Sequence, residues 1–326
     1  MSHRAKTPPQ YRPILTSALH HVFLKRDVWF FGIFALILGS GSAIETVLRT
    51  QNGLEAFGTP FLHRLFPFLE PLRQWTDQLF ALPPSRAILT ALLFLLLACL
   101  LISASAVSQG IIIHAAKTQR KRLDVHGLIR RGWQRFWQIL GVGLLLKMAL
   151  GVCAFILLAP SPPTTPIPFA ADLLALLQPV VGYSLMLGAN VIAVYTLIAI
   201  VNHHASFGGA LKEAWEVFRT YPGTSFETIV ILFVLSLLAG LGVLALALLL
   251  SIPYTVLFLL GAFGGSLLAT TLATAITFLA VLALFVILGG ATTAYNYTVL
   301  TMIYEKLRAG RFQSKWHRIK TTGHWF

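Results

Sequence analysis

The sequence predicts an all-α fold, a polytopic membrane helical bundle of about six transmembrane helices. Three observations carry that prediction. The chain is 56% hydrophobic and only 11% charged, with a mean hydropathy of +0.77. Soluble domains carry about 25% charged residues, so a water-soluble globule of this composition would have too few charges to cover its surface. Apolar stretches long enough to cross a bilayer recur along the chain, separated by polar, basic or proline-rich connections. The 25 Lys and Arg, against 11 Asp and Glu, gather mainly in the two tails and one internal loop. That asymmetry is what the positive-inside rule expects of segments facing the cytoplasm, and it favours anionic lipid headgroups as partners on that side. Nucleic acid is not expected, because the aromatic residues follow the membrane segments and no recognition motif occurs.

Residues 1–13 read as a flexible, basic, proline-containing tail, and 14–26 as a short amphipathic helix. The first span is placed at 28–48; it is too long for a signal-peptide core and lacks a small-residue cleavage site after it. Across 49–86, Phe61, Leu62, Leu65, Phe66, Leu69, Leu72, Trp75 and Leu79 recur at three- and four-residue steps. That spacing suggests a helix on the outer membrane surface, broken at Pro67 and Pro71; an irregular loop packed on the bundle is the alternative.

The second span, 87–113, leads into a basic loop containing Lys117, Arg120, Lys121, Arg122, Arg130, Arg131 and Arg135. The third, 138–159, is followed by a proline-rich linker over 160–168 with no Lys or Arg. The fourth covers 176–201, and a short helix carrying Lys212 and Arg219 comes next. The apolar stretch 228–304 is ambiguous between two spans and three. Because both tails are basic, an even count is expected, with spans at 228–250 and 270–300 and an outer hairpin connection or re-entrant element over 252–266. Residues 14–305 then form a single transmembrane domain, followed by a basic cytoplasmic tail, 306–326. The expected location is a cytoplasmic (inner) membrane with both ends inside.

An internal three-fold repeat is also expected. The segments ahead of the first, third and fifth spans read His20-His-Val-Phe23, Trp133-Gln-Arg-Phe136 and Trp215-Glu-Val-Phe218. In each, an apolar or aromatic pair lies three residues apart on one helical face, beside basic residues. Phe23, Trp133, Phe136, Trp215 and Phe218 are therefore the candidate interfacial anchors; chance recurrence of ordinary anchoring is the alternative. With the string Ala-Leu-Lys-Glu-Ala-Trp-Glu-Val-Phe-Arg at 210–219, repeated in looser form, the chain resembles bacterial six-helix membrane families. These include the membrane domain of some glycerophosphodiester phosphodiesterases and related uncharacterised membrane proteins. The resemblance spans most of 14–305 and implies an architecture but no activity.

Few residues suggest chemistry. Lys147 sits mid-span, where an ammonium costs roughly 2.5–3.5 kcal/mol on insertion scales. It would face substrate or a lipid phosphate, pair with Glu45, or snorkel to the surface. Asn190, Tyr195, Tyr295 and Asn296 lie in apolar runs and suit interhelical hydrogen bonds. Glu227 is placed to cap a helix N-terminus. Histidine pairs at 20–21 and 203–204, with His114 and His126, fall on the cytoplasmic side. Adjacent ring positions point about 100° apart, so neither a metal site nor a cofactor is predicted from them. Cys99 and Cys153 are expected as small hydrophobes. The glycines at 289–290 are expected as a kink sooner than as a close helix contact. No phosphate-binding loop, zincin, nucleophile-elbow or Cys-x-x-Cys motif occurs, so no catalytic residue is assigned.

These features lead first to a non-catalytic accessory, scaffold or assembly subunit in contact with lipids, other membrane proteins or a second copy. A transporter with a central polar site at Lys147 and Asn190 is one alternative, and an interfacial lipid-modifying enzyme near the histidine pairs is another.

Overall fold

The computed structural model describes residues 11–25, 27–38, 83–118, 125–158, 168–263 and 267–310. These residues form nine α-helices, with no strand among them. They fall into three successive sets, each a short helix followed by two apolar ones. The first set is α1 (Tyr11–Leu24), α2 (Asp27–Leu38) and α3 (Pro84–Lys117). The second is α4 (Val125–Gln134), α5 (Phe136–Leu158) and α6 (Pro168–His203). The third is α7 (Phe207–Thr220), α8 (Pro222–Phe263) and α9 (Leu267–Arg308). Helices α3, α5, α6, α8 and α9 are each long and apolar enough to cross a membrane, and α2 is a shorter apolar helix. The all-α membrane bundle expected from composition is therefore the observed fold class. The remainder of the first span, Glu45, most of the 49–86 connection, nearly all of the proline linker and the C-tail beyond residue 310 lie outside the described residues.

The short helices form because each offers one apolar stripe to a neighbour. Helix α1 buries Ile14, Ala18 and Val22; α4 buries Leu128 and Gly132; α7 buries Ala210, Ala214 and Val217. These are steps of three and four, a single helical face. Ser206 starts α7 by accepting the Gly209 N–H at 3.3 Å. Each stripe meets the last helix of the preceding set: α4 lies on α3, α7 on α6, and α1 on α9. The first apolar helix of each set follows the same rule, α5 on α3, α8 on α6 and α2 on α9. Helices α3, α6 and α9 also touch one another pairwise. The chain therefore closes into a ring of three similar units around a three-helix centre.

The tightest packing lies at the end of the bundle that carries the short helices, called here the basic end. Ile111, Ile112, Ile113, Tyr195, Ile198, Ile200, Tyr297 and Tyr304 are all fully buried there. Toward the other end the helices present apolar side chains outward; in α3 Leu89, Leu92, Leu93, Leu95 and Leu96 are each 59–70% exposed. Surfaces of this kind are stable against hydrocarbon, where helices need no polar coat.

Three local expectations need correction. Residues 252–263 belong to a helix and not to a connection, because α8 stays helical through Pro253 to Phe263; 264–266 lie outside the described residues. Ser251 and Thr255 keep the neighbouring carbonyls occupied, donating to Leu248 O at 2.6 Å and to Ser251 O at 2.8 Å. Helix α9 then returns antiparallel to α8, with Tyr254 Oη 3.4 Å from Thr274 Oγ1 and Asn296 Nδ2 donating to Ser236 Oγ at 3.2 Å. The glycines at 289–290 mark a contact and not a kink: α2 and α9 meet backbone to backbone at Gly32 and Gly290. A Cβ on Gly290 would come 2.6 Å from Ile33 Cγ1 and 2.7 Å from the Trp29 carbonyl oxygen. Finally, the expected tail 1–13 is already helical from Tyr11 onward.

Candidate functional site

The three central helices end together, and polar side chains of their last turns meet at the basic end. Lys117 of α3 donates to the Asn202 carbonyl of α6 at 3.4 Å. Asn202 Nδ2 donates to Glu305 Oε1 of α9 at 3.0 Å, and His203 Nε2 lies 3.2 Å from the same oxygen. Glu213 of α7 accepts from Tyr304 Oη at 2.8 Å and from Arg308 Nε at 2.7 Å. Arg308 also donates to the His203 ring, 2.9 Å from Nε2. Basic groups at helix C-termini suit the dipoles there, and the carboxylates of Glu213 and Glu305 tie α6, α7 and α9 together.

The first unit joins the same end through α1. His21 Nε2–H donates to the Ala115 carbonyl of α3 at 2.8 Å. Lys25 Nζ donates to the carbonyls of Thr118 at 2.6 Å and Ala115 at 3.3 Å. These are the orphan acceptors that every helix C-terminus leaves, so α1 and the residue following it cap α3. Burial, the adjacent Lys25 ammonium and the nearby His20 hold the His21 imidazolium pKa below the usual histidine range. Burial also lowers the Lys25 pKa from the ordinary lysine value. On the opposite flank, Tyr11 Oη donates to Glu227 Oε2 of α8 at 3.0 Å. Glu227 thus bridges two elements, where an N-terminal cap was expected.

Between α3, α4, α5 and the end of α6 lies a cleft of about 390 Å³. Gly110 and Gly132 let α3 and α4 approach at its wall: a Cβ on Gly132 would lie 3.1 Å from the Val107 carbonyl oxygen. His114, Arg131, Gln134, Arg135 and His204 supply the polar lining. Arg131 donates to His114 Nε2 at 2.7 Å, and Arg135 to Gln138 Oε1 at 3.1 Å. His204 ends α6 in a left-handed backbone, φ 55°. Among the described residues, no carboxylate lines this cleft.

The candidate residues from sequence are scattered relative to these features. Lys147 is on an exposed face of α5 and Asn190 is half-buried in α6; neither lines this cleft. Glu45 lies outside the described residues. The expected anchors pair as rings. Trp133 stacks on Phe136 with centroids 5.4 Å apart, and Trp215 lies 6.1 Å from Phe218. Phe23, Trp133 and Trp215 are half or more exposed, while Phe136 and Phe218 pack against the core. The histidines have separate partners: His21 meets Ala115, His203 meets Glu305 and Arg308, and His204 faces the cleft. Among the described residues, no three His, Cys, Asp or Glu are grouped to hold a metal ion.

Sequence reasoning passed over Glu213, Asn202, Tyr304 and the Gly110–Gly132 approach. One signal was available. Aligning the second and third repeats on Trp133 and Trp215 sets Arg131 opposite Glu213, a reversal of charge at one repeat position. Comparison with known proteins adds no relative, since no protein family, curated protein or solved structure matches the chain.

Proposed function

We propose that this chain is a non-catalytic integral membrane protein of a cytoplasmic membrane, an accessory or assembly subunit with both ends in the cytoplasm. In this reading the basic end faces the cytoplasm, where Lys and Arg accumulate. The exposed aromatics Phe23, Trp133 and Trp215 sit at headgroup depth on helices lying flat against the surface. Anionic lipids are then the first partners, and the lipid-facing sides of the outer helices are open to other membrane proteins or a second copy.

The observation that carries this reading is how the polar residues are used. Lys117, Asn202, His203, Glu213, Tyr304, Glu305 and Arg308 hold helix to helix. Fully buried Tyr195 and Tyr304 serve the same end, their hydroxyls set against Ser225 of α8 and Glu213 of α7. The likeness of residues 210–219 to bacterial six-helix families supports the same architecture.

The test is extraction in mild detergent and in native nanodiscs, followed by native mass spectrometry. A stoichiometric membrane partner or a second copy is expected. A solitary monomer under every gentle condition would contradict the reading.

A further inference from the structure

The second unit differs from the third in a way that the ring does not require. At equivalent repeat positions, Glu213 is paired with Arg308 and accepts a hydrogen bond from Tyr304 of α9, whereas Arg131 faces a cleft with cationic and titratable groups around it. Arg131 and Arg135 lie four residues apart, Arg131 in the last turn of α4 and Arg135 in the turn that joins it to α5, and both line the cleft. His114 is within electrostatic reach of Arg131, Lys117 and His204. The C-terminal dipoles of α3 and α6 account for His114 and His204. They do not account for two arginines at the end of α4 and in the turn that follows it, and no carboxylate among the described residues lines the cleft.

We propose that this cleft is a phosphate-binding site, with Arg131 and Arg135 as its principal ligands and His114 and His204 as its walls. Arginine forks match phosphate oxygens with paired, charge-assisted hydrogen bonds. A basic pocket between transmembrane helices at the cytoplasmic surface is suited to an anionic lipid headgroup, and a soluble phosphate monoester presents the same chemistry. His204, held in a left-handed conformation uncommon outside glycine, closes the side of the cleft formed by α6. The proposal rests on the cytoplasmic placement of the basic end given above, but not on the chain having a protein partner.

The decisive variant copies the third unit into the second. Arg131→Glu puts a carboxylate beside Arg135 and His114, supplying internally the charge the cleft is proposed to take from a ligand, so its folding is supported. Arg130→Gln, an exposed change on the same helix that does not line the cleft, is the control for diffuse surface charge. Purified full-length protein is titrated with phosphatidylglycerol, phosphatidylcholine, glycerol 3-phosphate and inorganic phosphate, with adducts read by native mass spectrometry and thermal shift.

Arg131→Glu, and separately Arg135→Gln, are expected to weaken anion binding about ten- to a hundredfold, while Arg130→Gln leaves it unchanged. Displacement of the lipid adduct by glycerol 3-phosphate would identify a soluble phosphate as sufficient; retention against it would identify the lipid. Binding that ignores both cleft variants, or falls equally with Arg130→Gln, would overturn the site. A missing protein partner would count against the accessory reading and leave this result untouched.

Discussion

Single residues at the basic end work chiefly as fasteners, and each has a measurable cost of removal. Tyr304 is buried and its hydroxyl has Glu213 as partner, so Glu213→Ala strands a buried donor. A loss of about 1–3 kcal/mol is expected, read as a lower unfolding midpoint in detergent; Glu213→Gln, which keeps an acceptor, should lose less. His21 gives a pH dependence. Its folded pKa lies below its unfolded value of about 6.5, so the fold holds it neutral. The stability it contributes is complete above pH 6.5 or so and is lost as the pH falls through the lowered folded value. Hydrogen exchange in α1, corrected for intrinsic rates, should accelerate on acidification below that point, and His21→Gln should flatten the dependence. These residues were poorly legible in the sequence. His203, Glu305 and Glu213 are separated along the chain, and only the meeting of three helix ends makes them one network.

At the scale of elements the sequence was far more readable. Long apolar runs mark the long helices because hydrocarbon demands a closed backbone, and the Trp-x-x-Phe pairs fall at the end of α4 and within α7, helices that bury one apolar stripe. Glycine was harder to read. Gly290 and Gly240 both lie in apolar helices, yet a Cβ on Gly290 would strike Ile33 and the Trp29 carbonyl, while nothing lies within 4 Å of one on Gly240. Gly290→Ala is therefore expected to cost about 1–3 kcal/mol through overpacking and to loosen α2 from α9. Gly240→Ala should be neutral or mildly stabilising, since alanine is the better helix former. Detergent unfolding of the two variants, measured side by side, checks the contrast. Helix length was also misjudged: α8 and α9 have 42 residues each, about 63 Å, because Pro253 does not break a helix whose surroundings penalise an open backbone more than a lost hydrogen bond.

The whole molecule is organised by one repeated instruction: each unit lays its short helix and its first apolar helix on the last helix of the unit before. The segments at residues 20–23, 133–136 and 215–218, expected as a repeat, fall in or beside the short helix that opens each set, so the order of the three sets was legible. Their closure was not, because nothing local in α1 announces that its stripe of Ile14, Ala18 and Val22 belongs on α9, the most distant helix in the chain. Closure brings the two described termini to one end of the bundle and gives α1 its place between the third unit and α3. Cross-linking in native membranes tests it most directly. Cysteines replacing Tyr11 and Glu227, whose side chains are hydrogen-bonded at 3.0 Å, are introduced in a background lacking Cys99 and Cys153 and treated with a short bifunctional thiol reagent. A closed ring predicts efficient linkage of 11 to 227, comparable to a pair placed at Asn202 and Glu305 in the central clasp. Linkage at 202–305 with none at 11–227 would mean that the first unit does not dock on the third, and the ring would be wrong.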